Sequence, residues 1–152
     1  MNKIFIAFLF IFTFAACNIF KTSNSKSTAE NADLSPLKSG IYIMELIELK
    51  EGNKTVSAKG KQISLNLDLE KLTYSGKSGC NSYFGGLQNT NGNKYKFNVG
   101  GTTEMLCAQE VMQWEVRYLN TLVDHEFIIS ENEQTVLFIG NDSDLKFLVK
   151  EE

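Results

Sequence analysis

From Ile63 to Glu70 every second residue is apolar: Ile63, Leu65, Leu67 and Leu69 alternate with Ser64, Asn66, Asp68 and Glu70. A period of two sends the two side-chain sets to opposite faces of a strand, so this segment must bury one face and wet the other. Tyr95, Phe97 and Val99 alternate with Lys94, Lys96 and Asn98 in the same way. They follow "NTNGN", whose Asn91-Gly92 pair tolerates the positive φ of a tight turn, and with residues 83–88 they predict a hairpin. Further on, "EFIIS", "TVLFIG" and "LKFLV" are separated by the polar turns "ENEQ" and "NDSD". These predict an antiparallel meander, with "GIYIMELIELK" and "LTYSGK" as two further strands.

One segment breaks the period. Val111, Trp114, Tyr118, Leu119 and Leu122 recur at helical spacing, with Glu110, Glu115, Arg117 and Asn120 left to face water. Residues 108–123 therefore predict a single amphipathic helix. The expected fold class is α+β, mainly β: a curled antiparallel sheet or small open barrel with that helix packed on it as a lid for the apolar face.

The start of the chain is not expected to belong to this domain. "MNKIFIAFLFIFTFAAC" carries one lysine, an apolar run and small residues before Cys17, the layout of a secretory signal peptide. The run is shorter than the ~20 residues that span a bilayer as helix. Phe14-Ala15-Ala16-Cys17 resembles a bacterial lipobox, with Phe14 where Leu is usual. Under that reading residues 1–16 are removed and Cys17 becomes a lipid anchor; the other reading is an ordinary signal cut near Ala16. Residues 17–38, rich in Ser, Asn, Thr and Lys, read as a flexible linker with a root-mean-square span of roughly 25 Å. Pro36 sits at its junction with the domain, residues 39–152. The expected location is the bacterial cell envelope, on the outer membrane facing the periplasm. Lysines interspersed with acidic residues and a net charge of −3 offer no basic patch for nucleic acid.

The stretch "SGKSGCNSYFGG" holds the chemistry worth testing. Gly76-Lys77-Ser78 looks like the end of a phosphate-binding loop, but Lys71 stands where the first glycine belongs and no helix pattern follows. A nucleophilic Cys80 needs a base or cation, and the one histidine, His125, falls at the predicted helix–strand junction. Cys80, Cys107 and His125 lack paired metal-ligand spacing, so neither a metal nor a cofactor is expected. In an exported protein Cys80 and Cys107 read as a disulfide, closing a loop worth roughly 3–4 kcal/mol on the chain-entropy model. The alternative is two buried, reduced thiols. Glycines 79, 85, 86, 100 and 101 suit strands that bend or approach closely.

Three motifs, "GCNSYFGG", "TEMLC" and "EVRYLNTL", together resemble the signature of the META/HslJ family of small exported bacterial proteins. The matching positions are Gly79, Cys80, Asn81, Phe84 and Gly85; Thr103, Met105 and Cys107; and Glu115, Tyr118, Leu119 and Leu122. The resemblance spans about residues 40–149, with Tyr42 of "IYIMEL" in the place of a usual Trp. It implies a mostly antiparallel, barrel-like fold with helical packing. It also implies an association with heat shock and envelope stress, and no catalytic residues. The expected function is thus a non-enzymatic, membrane-tethered envelope lipoprotein that meets an envelope protein partner. A small apolar-ligand carrier lined by Phe84, Tyr95, Phe97 and Trp114, or an inhibitor of secreted hydrolases, are the alternatives.

Overall fold

A computed structural model describes residues 35–150. The expected signal segment, Cys17 and most of the linker lie outside the described residues. The elements run β1 (Ser35–Pro36), β2 (Ile41–Glu51), β3 (Lys54–Ser57), β4 (Ile63–Asp68), β5 (Thr73–Ser78), β6 (Ser82–Asn91), β7 (Lys94–Phe97), β8 (Gly101–Thr102), α1 (Gln109–Leu122), β9 (Glu126–Asn132), β10 (Thr135–Ile139) and β11 (Ser143–Val149). Ser35 and Pro36, which the sequence places in the linker, already pair with Glu131 and Ser130 of β9.

Eight strands follow one another in the order β9-β10-β11-β2-β4-β5-β6-β7, every pair antiparallel. The ring then closes, because Lys94, Tyr95 and Lys96 of β7 pair with Ile128, Phe127 and Glu126 of β9. The barrel is therefore closed, and the expectation of a curled sheet or open barrel is corrected. Alternation fixes which face of a strand is buried, but the meeting of two distant edges leaves no mark in local periodicity. The three short strands extend edges that the ring leaves open: β1 on β9, β3 on β2 beyond β4, and β8 on β6 ahead of β7. Covering edges in this way removes templates for unwanted pairing.

The inward set is the one the alternation predicts. Ile63, Leu65 and Leu67 of β4 are fully buried beside Met44, Leu46 and Leu49 of β2. Phe97, Phe127, Phe138 and Phe147 form a chain of tilted and edge-on rings with centroids 4.8–5.9 Å apart, a spacing favoured by the ring quadrupoles. Val99 departs from expectation. β7 ends at Phe97, whose N–H and C=O turn to His125 and Asp124, and Val99 beyond it is 72% exposed. The hairpin turn is formed by Gly92 and Asn93, with Gly92 at φ 58°. Close approach holds at four of the five glycines singled out, most clearly at Gly100, where an added Cβ would lie 1.8 Å from the Phe84 carbonyl oxygen, and also at Gly85, where it would lie 2.4 Å from the Tyr74 ring of the paired strand. Gly86 has open space instead.

The helix lies where predicted, with Ala108 and Val123 as its caps. The antiparallel registers bring the ends of β2 and β5 and the starts of β4, β6 and β9 to one end of the barrel. There α1 covers the opening: Tyr118 and Leu122 enter the core, while Glu110, Glu115 and Arg117 meet Lys61, Asn81 and Glu51 around the rim. Glu115 is thus not a water-facing residue, as helical spacing alone suggests. Its side chain turns toward the β5–β6 turn.

Candidate functional site

The turn between β5 and β6, residues 78–82, is where the three sequence motifs meet. Gly79 takes φ 105°, a conformation that a side chain would strain, and an added Cβ would press on Val111 of α1. Cys80 follows, bonded to Cys107 with a Cα–Cα distance of 6.0 Å. The disulfide reading therefore holds over that of two reduced thiols.

Asn81, only 4% exposed, organises the cluster. Its backbone N–H donates to Glu115 Oε2 at 2.8 Å and its amide nitrogen to Glu115 Oε1 at 2.7 Å, so one residue engages both carboxylate oxygens. Its amide oxygen accepts from the Met105 N–H at 2.7 Å and from the Thr103 hydroxyl at 2.9 Å. Its carbonyl accepts from the Ser78 N–H at 2.8 Å, and the Ser78 hydroxyl donates to Glu115 at 2.6 Å. A carboxylate facing an amide nitrogen, and a backbone N–H facing the amide oxygen, leave one sensible orientation for this side chain. Partial burial pushes the Glu115 carboxyl upward, but donors from Ser78, Asn81 and the Cys80 backbone outweigh it and hold the group below the ordinary glutamate range.

Below this cluster, Tyr118 and Tyr83 approach oxygen to oxygen at 2.6 Å, and Tyr83 donates to the Ser64 carbonyl at 2.8 Å. A hydroxyl has one proton, so Tyr118 must donate to Tyr83. Burial raises both phenols, Tyr83 further through the Tyr118 hydroxyl beside it. Both stay protonated at neutral pH.

The structure brings together Gly79, Cys80, Asn81, Thr103, Met105, Cys107 and Glu115. Tyr118 and Leu122 lie in the core beneath them, and Gly85 lies under Tyr74. Phe84, 64% exposed, rests on Gly101 across the β6–β8 pair. Leu119 lines an apolar groove of about 240 Å³ with Phe84, Val99 and Val123. The four aromatics expected to line a carrier pocket are not brought together. Phe97 is wholly buried, Tyr95 is half-buried on β7, and Trp114 borders a different cavity from Phe84.

That other cavity, about 370 Å³, lies among Gly60, Lys61, Gln62, Gly79, Cys107, Glu110, Val111 and Trp114. At its side the Trp114 ring carries Lys61 Nζ at 5.6 Å and Arg117 Cζ at 5.5 Å. Each cation also has an acidic partner, Glu110 for Lys61 and Glu51 for Arg117. Sequence reasoning missed Ser78, Lys61 and this stack, because no local spacing links residues so far apart in the chain. Ser78 did stand in the stretch weighed as a phosphate loop. There Lys77 is exposed and Ser78 is buried at the end of β5, with a strand and not a helix after the turn.

His125 is exposed, its Nδ1 3.0 Å from the Val123 carbonyl. Among the described residues no group of three or more His, Cys, Asp or Glu side chains is placed to hold a metal ion. No helix among them is long and apolar enough to cross a membrane.

No curated protein sequence matches the chain. A solved structure is similar to it: the NMR structure of a protein from Burkholderia xenovorans, 25% identical, with a TM-score of 0.60 over 73% of this chain and 83% of that one. The family model of the META domain matches residues 42–152, a span that contains all three motifs. With the barrel, its helical lid and the convergence of those motifs on one turn, the match shows that this chain belongs to the META domain family.

Proposed function

We propose that this protein is a lipoprotein tethered through Cys17 to the bacterial envelope, on the outer membrane facing the periplasm. There its META domain serves envelope or heat-stress tolerance by contact with another envelope protein, without catalysing a reaction. The observation that carries this reading is the convergence of Asn81, Thr103, Met105 and Glu115. Their polar groups bond one another, as groups that maintain a shape do, and do not present a nucleophile and base to a cleft. The tether is supported by "FAAC" after the short apolar run. A folded domain on a linker whose full extension is on the order of 70 Å can reach partners near the membrane.

Intact mass of the membrane-extracted protein tests the tether, with a diacylglyceryl and acyl addition at Cys17 as the expected result. An unmodified Cys17 in the native host removes it. The role is tested by deletion: growth at high temperature and in detergent should fall, and unchanged tolerance would sink the stress reading.

A second reading draws on the groove between Phe84, Val99, Leu119 and Val123. A small apolar ligand carried there should copurify and appear in native mass spectra, and Phe84→Ser should abolish it.

A further inference from the structure

The two sulfurs of the Cys80–Cys107 bridge sit in unlike surroundings. Cys80 lies half-buried in the β5–β6 turn. Its backbone N–H faces the Glu115 carboxylate, and its Sγ lies 3.4 Å from the Met105 carbonyl oxygen. Negative groups of this kind oppose a thiolate. Cys107, also half-buried, borders two cavities, the one beside Lys61 and Trp114 and another of about 470 Å³ along the outer face of α1 with Met112 and Val116. It directly precedes Ala108, the N-cap of α1, which offers no side-chain acceptor. The positive end of the helix therefore lies next to Cys107, with Glu110 as the acidic residue of its first turn.

The charged groups around Cys107 are Lys61 from the β3–β4 connection and Glu110 and Arg117 from α1. Glu104 lies on the same segment. Glu110 is held by Lys61 at 2.5 Å and Arg117 is paired with Glu51, while Glu115 faces Cys80. What remains to favour a charge on Cys107 is the helix end, since the Lys61 ammonium and the Glu110 carboxylate offset one another.

The bridge is also not the only tie between its two segments. Asn81 Oδ1 holds Thr103 and Met105 with hydrogen bonds that do not involve sulfur. Opening the bridge leaves residues 81 and 103–105 together.

We propose that Cys80 and Cys107 are an exchange-competent redox pair, in which Cys107 is the sulfur that meets an external dithiol or disulfide and Cys80 is the resolving sulfur. In reduction, a partner thiolate attacks Cys107 Sγ. The Cys80–Cys107 bond breaks with its electron pair leaving on Cys80, which takes a proton from solvent. The partner's second thiolate then attacks the partner sulfur of the mixed disulfide, and Cys107 leaves as a thiolate and is protonated in its turn according to pH. The protein gains two electrons and the partner becomes a disulfide. This site does not depend on the tether or on the stress role, and its test is separate from theirs.

Purified protein is treated with dithiothreitol at pH 7 without denaturant, then pulsed with iodoacetamide, and the two cysteines are mapped by mass. Expected results are complete reduction with the folded circular dichroism spectrum retained, and alkylation of Cys107 about tenfold faster than Cys80. The pH midpoint of Cys107 should lie below the ~8.5 of an ordinary thiol. In Cys80→Ser, oxidised glutathione should form an adduct on Cys107; in Cys107→Ser, little or none should form on Cys80. Ala108→Asp, which places a carboxylate at the helix end, should raise the Cys107 midpoint. A bridge that opens only on unfolding, equal rates at the two cysteines, or faster reaction at Cys80 would overturn the assignment.

Discussion

Glu115 and Trp114 are neighbours on α1, and each ties the helix to the barrel. Glu115 meets short groups, the Ser78 hydroxyl and the backbone and amide of Asn81, all at 2.6–2.8 Å and largely screened from water. Trp114 meets Lys61 and Arg117, long cations that stay in partial contact with solvent and each need an acidic partner of their own. Bonds to a charged group that has lost part of its water are strong and leave orphaned partners when broken. Ion pairs and cation–π contacts at an exposed rim are weakened by water, by salt and by the entropy of long side chains. One helix thus carries a determining tie and a dispensable one, a single residue apart.

Glu115→Leu should show the difference most clearly. Two donors of Asn81 lose their acceptor and the Ser78 hydroxyl is left with the Asn81 carbonyl at 3.0 Å, and a loss of about 3 kcal/mol in urea unfolding at pH 7 is expected. A loss below about 1 kcal/mol would mean that water replaces the carboxylate and that the two ties are alike.

The pH dependence of stability sharpens the same comparison. The folded-state pKa of Glu115 lies below its unfolded value, so its contribution is complete above the ordinary glutamate pKa of about 4.3 and is lost as pH falls through the folded value. Unfolding midpoints measured from pH 6 to pH 2 should fall more steeply for the natural protein than for Glu115→Gln. Parallel curves would assign the acid sensitivity to the rim carboxylates instead.

Tyr118→Phe removes one hydroxyl from the buried Tyr118-Tyr83-Ser64 chain and keeps the ring. It should cost about 1 kcal/mol by the same unfolding measurement. The smallest effect belongs to the rim. Arg117→Ala should change stability by about 0.5–1 kcal/mol, and raising the salt to 1 M should erase most of the difference. A larger loss that persists in salt would make the Trp114 stack a true partner of the Asn81 cluster.

Much of the barrel was legible in the sequence because burial imposes a local pattern. The alternation in 63–70 named the inward face of β4 correctly, and the helical spacing of Trp114, Tyr118 and Leu122 gave α1 with its caps. Patterns fail where a residue's fate depends on chain that is far away in sequence. Val99 continued the alternation of β7, yet the strand ended at Phe97 because its backbone partners come from the helix–β9 junction. Glu115 looked like a wet helical position, yet it faces a turn 34 residues upstream that supplies its donors. The candidate site was legible as a set of family positions and not as a geometry. Nothing local in "GCN", "TEMLC" and the helix states that one asparagine side chain joins all three.

Sequence by itself determined the eight strands of the barrel ring, the single helix, most of the buried side chains and the two cysteines available to pair. Each of these follows from side-chain polarity at a period of 2 or 3.6, a property of neighbouring residues. The tertiary structure alone decided that β7 meets β9 to close the barrel, that α1 covers the end where the β5–β6 turn lies, and that Cys107 borders two cavities beside the helix. Those outcomes depend on which distant edges and surfaces meet once the chain is compact, where hydrogen-bond partners are shared out over the whole fold.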